Sequence, residues 1–310
     1  MIPVYVINGF LDSGKTEFIT YTLGQPYFQT RTTTLLIVCE EGENEYDEKL
    51  LKKSRTVMEL IEDEADFTSQ NLISLEKKYK PGRIVIEYNG MWNVKNMKFP
   101  WHWKMEQQIT MINGATFASY FTNMKSLVAE HIRNSELIIM NRCDGMEDKI
   151  AGYKRNIMAL NQSAEIIFED SKGEMNVTLE EDLPYDLKAD PIILDDMGYG
   201  FWYLDALDNM ARYDGKTIEY TAMVLHPPKF PKGYFVPGRM AMTCCAEDMA
   251  FLGYACKYDR EAELEQKAWV KVTAKVRIEY FEDYGKEGPV LHAVKVEPAP
   301  KPKNEVISFV

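Results

Sequence analysis

The eight residues Gly9-Phe10-Leu11-Asp12-Ser13-Gly14-Lys15-Thr16 constrain this chain more than any other stretch. They fit the spacing G-x-x-x-x-G-K-[ST]. Gly9 and Gly14 let the backbone turn so that successive N–H groups face one anion, and a helix starting near Gly14 adds the positive end of its dipole. Lys15 can reach β- and γ-phosphates, and the Thr16 hydroxyl suits Mg²⁺. The flanks agree: Ile2 to Ile7 reads as a buried parallel strand and Thr16 to Leu23 as a helix. A P-loop between strand and helix is therefore expected.

Composition narrows the class. The net charge of −12 opposes a general nucleic-acid role, because phosphate backbones are repelled on average. No apolar run approaches the ~20 residues needed to span a bilayer. A strand starting at residue 2 leaves no room for a signal peptide, so a cytoplasmic protein without membrane insertion is expected. The five cysteines, Cys39, Cys143, Cys244, Cys245 and Cys256, form no C-x-x-C pair, which argues against a disulfide framework or a zinc finger.

Up to about residue 170, strand-like runs (34–38, 83–87, 108–112, 137–141, 165–168) alternate with helical patterns (46–62, 65–79, 115–133, 147–160). Phe117, Tyr120, Phe121, Met124, Leu127, Val128 and His131 fall on one helical stripe. This alternation predicts a mostly parallel sheet covered by helices, with ligands at the carboxyl ends of the strands. Residues 171–190 are acidic and interrupted by proline, which reads as a connection. Residues 191–310 then carry a short helix around 202–210 and five period-two runs (217–225, 234–243, 249–258, 269–282, 289–296). Five strands fit a small all-β domain, OB-like in size.

Two further motifs end strands. Ile84-Val85-Ile86 delivers Glu87, a carboxylate able to hold Mg²⁺ or the attacking water. Gly90 follows three residues later, where its N–H can approach a γ-phosphate. Leu137 to Met140 leads into Asn141-Arg142-Cys143-Asp144, an N-[KR]-x-D pattern. The Asp144 carboxylate can accept from guanine N1–H and the exocyclic amine. Adenine offers no such donors, and losing a charge-assisted bond costs about 1.5–3 kcal/mol.

These motifs, in this order, resemble the CobW family of P-loop GTPases, whose loop typically reads G-F-L-G-S-G-K-T. The matches are Gly9–Thr16, Cys39-Glu40-Glu41-Gly42, Glu87–Gly90 and Asn141–Asp144, and the likeness spans about residues 1–170. It implies GTP hydrolysis coupled to delivery of a metal ion, such as zinc or cobalt, to a client protein. Three positions depart from the family. Asp12 stands where glycine is usual, Cys39 replaces an asparagine, and no C-x-C-C metal motif lies between Gly42 and Ile86. Cys39 with Glu40, and Cys244-Cys245, are candidates for a transition metal such as Zn²⁺, set against structural cysteines.

Residues 190–310, through Tyr213-Asp214-Gly215-Lys216, Gly238 to Asp248 and Trp269-Val270-Lys271-Val272, resemble the C-terminal domain of a bacterial membrane-associated family of unknown function. That family sits beside permease-like partners and is linked to metal homeostasis. The expectation is a slow GTPase using GTP and Mg²⁺. Lys15 and Glu87 would act in catalysis. Gly9, Asp12, Ser13, Gly14, Thr16, Gly90, Asn141, Arg142 and Asp144 would line the nucleotide. A metal-requiring client, a permease or a second copy of the chain would be the partner. The alternatives are a nucleotide-gated adaptor with little hydrolysis and a P-loop small-molecule kinase.

Overall fold

The computed structural model describes residues 1–40, 42, 45–175, 183–242 and 249–308. The chain divides into two compact units, residues 1–177 and 178–310.

The first unit is built on one sheet. Its strands are β1 (Ile2–Asn8), β2 (Thr34–Val38), β3 (Thr56–Leu60), β4 (Arg83–Glu87), β5 (Trp103–Asn113), β6 (Leu137–Asn141), β7 (Glu165–Asp170) and β8 (Gly173–Glu174), in the order β3-β2-β4-β1-β5-β6-β7-β8. All neighbours pair in parallel except β7 and β8. Both faces are covered, which is why β2 is apolar and buried along its whole length. The helix α1 (Lys15–Gly24) buries Ile19 and Leu23 against Ile7, Leu36, Val85 and Ile139 on one face. On the other face, α3 (Ser69–Tyr79) sets Leu72 against Val4, Leu35 and Ile84. There too, α4 (Gly114–Asn123), α5 (Lys125–Arg133) and α6 (Glu147–Leu160) cover Ile112, Ile138, Met140 and Phe168.

Three expectations change here. The span 46–62 is not one helix: α2 (Glu48–Lys53) stops after two lysines, Arg55 takes a left-handed φ of 55°, and Thr56 opens edge strand β3. The stripe over 115–133 is two helices, because Met124 leaves helical geometry at φ −132°, ψ 37°. The acidic connection is partly structured, since β8 extends the sheet and Tyr185 and Leu187 pack on the core of the second unit.

In the second unit, β9 (Ile192–Ile193) and α7 (Asp196–Asp208) precede β10 (Thr217–Leu225), β11 (Tyr234–Met242), β12 (Met249–Gly253), β13 (Cys256–Lys257), β14 (Trp269–Phe281), β15 (Lys286–Pro298) and β16 (Val306–Ser308). The path β11-β13-β15-β14-β10 closes on itself through β10–β11 pairing, and β13 runs parallel to β15. Alternate residues of β10 point inward, as period two requires. Trp202 and Tyr199 of α7 pack with Tyr220, Phe235 and Val272 in its core. Cys256 pairs with Phe235, and Tyr254 and Ala255 separate β12 from β13.

Candidate nucleotide site

Strand order brings the site together. With β2, β4, β1, β5 and β6 side by side, the residues after their carboxyl ends share one edge of the sheet. There Leu11, Asp12, Gly14, Lys15, Thr16, Glu40, Glu87 and Arg142 line a cleft.

The loop leaving β1 requires its glycines. Gly9 has φ +139°, and a Cβ there would lie 2.2 Å from the Met111 carbonyl oxygen. Gly14 has φ +93° and caps α1. Gly90 sits against the same loop, where a Cβ would meet the Gly9 oxygen at 2.3 Å. Asp12 adopts φ 59°, a left-handed conformation that Asp tolerates better than most residues. Its carbonyl accepts from Arg142 Nη1 at 2.8 Å and Asn113 Nδ2 at 3.3 Å.

Lys15 is buried. Its Nζ donates to the Gly9 and Phe10 carbonyls at 2.9 and 3.0 Å and to Glu40 Oε2 at 2.7 Å. Thr16 Oγ1 donates to Glu87 Oε1 at 2.7 Å, and Tyr46 OH donates to Glu87 Oε2 at 2.5 Å. Burial raises the Glu87 carboxyl above its ordinary range despite these bonds and the nearby Lys15 charge. Tyr46 carries no motif, and nothing in the sequence around it marked it for the site. It stands out only by its hydrogen bond.

Asn141 Nδ2 donates to the Ser13 carbonyl at 2.9 Å, tying the end of β6 to the loop. Asp144 is exposed and held by Ser171, whose N–H donates to Oδ1 at 3.1 Å and whose hydroxyl donates to the same oxygen. Those two bonds keep its carboxyl below the ordinary range. The Ser13 hydroxyl and Asn141 Oδ1 are buried without a hydrogen-bond partner among the described residues. Unspent polar atoms beside a glycine cradle fit a polar ligand such as a nucleotide.

The transition-metal candidates fare differently. Cys39 is buried, and burial, with Glu87 and Glu40 nearby, pushes its thiol up. Glu40 is engaged by Lys15. Among the described residues no three His, Cys, Asp or Glu side chains are grouped to hold a metal ion. Cys244 and Cys245 lie outside the described residues.

Residues 3–168 match the model of the CobW/HypB/UreG nucleotide-binding domain. The chain belongs to this family. The CobW/HypB/UreG segment ends where a second match begins: residues 170–307 are similar to the DUF1980 C-terminal domain. Among solved structures, the chain is similar to the hydrogenase maturation factor HypB from Archaeoglobus fulgidus. That likeness has 18% identity over 56% of this chain and 82% of that one, with a TM-score of 0.40. It is also similar to the Zn(II)-bound YjiA GTPase from E. coli, at 15% identity over 81% and 88% of the two chains, again with a TM-score of 0.40. No curated protein matches the chain. No helix among the described residues is long and apolar enough to cross a membrane.

Proposed function

We propose that the first unit binds and hydrolyses GTP, and that this cycle serves the handling of a metal ion such as zinc or cobalt for a client protein. The observation that carries the nucleotide reading is the convergence of Gly14, Lys15 and the Thr16–Glu87 pair on one cleft, with Gly90 packed closely against Gly9 of the same loop. Family membership supports it.

Lys15 neutralises phosphate charge, and the loop amides orient the phosphates. Thr16 and Glu87 are the residues that would hold Mg²⁺, which when bound offsets charge on the phosphate oxygens. Gly90 offers its amide to the γ-phosphate. Asn141 keeps the loop and the base-reading segment in register, and Asp144, steadied by Ser171, reads the guanine edge. Catalysis is mostly positioning and charge neutralisation. Lys15→Ala, checked for an intact fold by circular dichroism, should abolish GTP hydrolysis; turnover that survives rejects the assignment. In calorimetry, Asp144→Ala should erase most of the preference for GTP over ATP, about 1.5–3 kcal/mol.

The nucleotide-gated adaptor with little hydrolysis is favoured by one observation. Both Glu87 carboxylate oxygens already accept hydrogen bonds, leaving the group poorly placed as a base. Single-turnover hydrolysis with and without Zn²⁺ separates the two readings.

A further inference from the structure

Behind the nucleotide loop lies a polar group that the family motifs do not include. His131, on α5, is 2% exposed. Its main-chain carbonyl is fixed by four side chains: Asn8 Nδ2 donates at 3.3 Å, Gln108 Nε2 at 3.3 Å, Thr110 Oγ1 at 2.7 Å and Ser135 Oγ at 2.9 Å. Asn8 is the residue immediately before Gly9. The imidazole reaches toward the site. Its centroid lies 4.9 Å from the Phe10 ring of the loop, and the Gly90 main chain hydrogen-bonds the ring. Nε2 is left without a partner among the described residues, so the bond to Gly90 runs through Nδ1.

The ring therefore touches both parts that must agree about a γ-phosphate, the loop through Phe10 and the Gly90 segment. These two are already in van der Waals contact with each other at Gly9 and Gly90. His131 and Ser13, whose Nε2 and hydroxyl are both unpartnered among the described residues, are two of the residues that line one small cavity beside the loop.

We propose that His131 is a positioning residue for the γ-phosphate, holding Gly90 against the nucleotide loop so that its amide is presented to a triphosphate and not to a diphosphate. This rests on the nucleotide reading above. Burial and the Lys15 charge keep the ring neutral, which leaves Nδ1–H as a donor and Nε2 bare.

The test is to measure GDP and a non-hydrolysable GTP analogue, each with Mg²⁺, on the wild type, His131→Phe and His131→Asn. The phenyl ring preserves packing on Phe10 but cannot donate; the asparagine amide restores a donor near the Nδ1 position. His131→Phe should lose about 3- to 10-fold in affinity for the GTP analogue while GDP changes less than about 2-fold, and His131→Asn should recover most of the loss. Equal losses for both nucleotides, or no loss for either, overturn the proposal and leave the nucleotide reading standing. A wild type that takes up neither nucleotide overturns both. Should the variants fail to fold, ¹⁵N-histidine spectra of the wild type decide. The His131 ring nitrogens should shift on adding the GTP analogue and not on adding GDP, and identical spectra refute the idea.

Discussion

At the scale of single residues, the site is a set of buried polar groups whose ionisation is set by what surrounds them. His131 is the clearest case: burial, aided by Lys15, lowers its pKa from 6.5 to about 4. Between those values the unfolded chain binds a proton that the folded chain refuses, so stability must rise with pH through this window and fall on acidification. The drop on going from pH 7 to pH 4 should be of the order of 3 kcal/mol from this group. Urea titrations of wild type and His131→Phe at both pH values check it: the variant should show a shallower acid loss, and parallel losses would count against a neutral buried ring. Motif spacing singles out Lys15, Thr16 and Glu87, and these three line one cleft. Tyr46 and His131 were not legible in the sequence. Each reaches the site through contacts distant in sequence, and His131 sits on an apolar stripe whose pattern speaks only of packing.

The same division holds for elements. Strands β1, β2, β4 and β6 could be read directly, because a strand buried on both faces becomes an uninterrupted apolar run. Strand β3 was hidden: its exposed Met58 and Leu60 and its intervening Glu59 continue the helical spacing of α2, and only the turn at Arg55 separates them. Strand β16 escaped because three residues after a proline-rich stretch carry no periodic signal. Yet it pairs in parallel with β11, and Ile307 is 3% exposed within the second core. Ile307→Ala should therefore destabilise the second unit by about 2–5 kcal/mol, read as a lower urea midpoint. A change under 0.5 kcal/mol would mean that β16 adds nothing to that core.

For the molecule as a whole, two sheets with separate cores imply two cooperative units. Calorimetry should resolve two unfolding transitions, and GTP with Mg²⁺ should raise the midpoint of only one of them. A single transition that moves as a block would contradict this. The Lys15–Glu40 pair has a consequence that reaches beyond the cleft. If Lys15 takes a phosphate as proposed, that phosphate must displace a carboxylate covalently attached to the chain. Its local concentration does not fall on dilution. On the proposed reading, Glu40 reclaims the ammonium once a phosphate has left, so the pair lowers net affinity for nucleotide and opposes its rebinding.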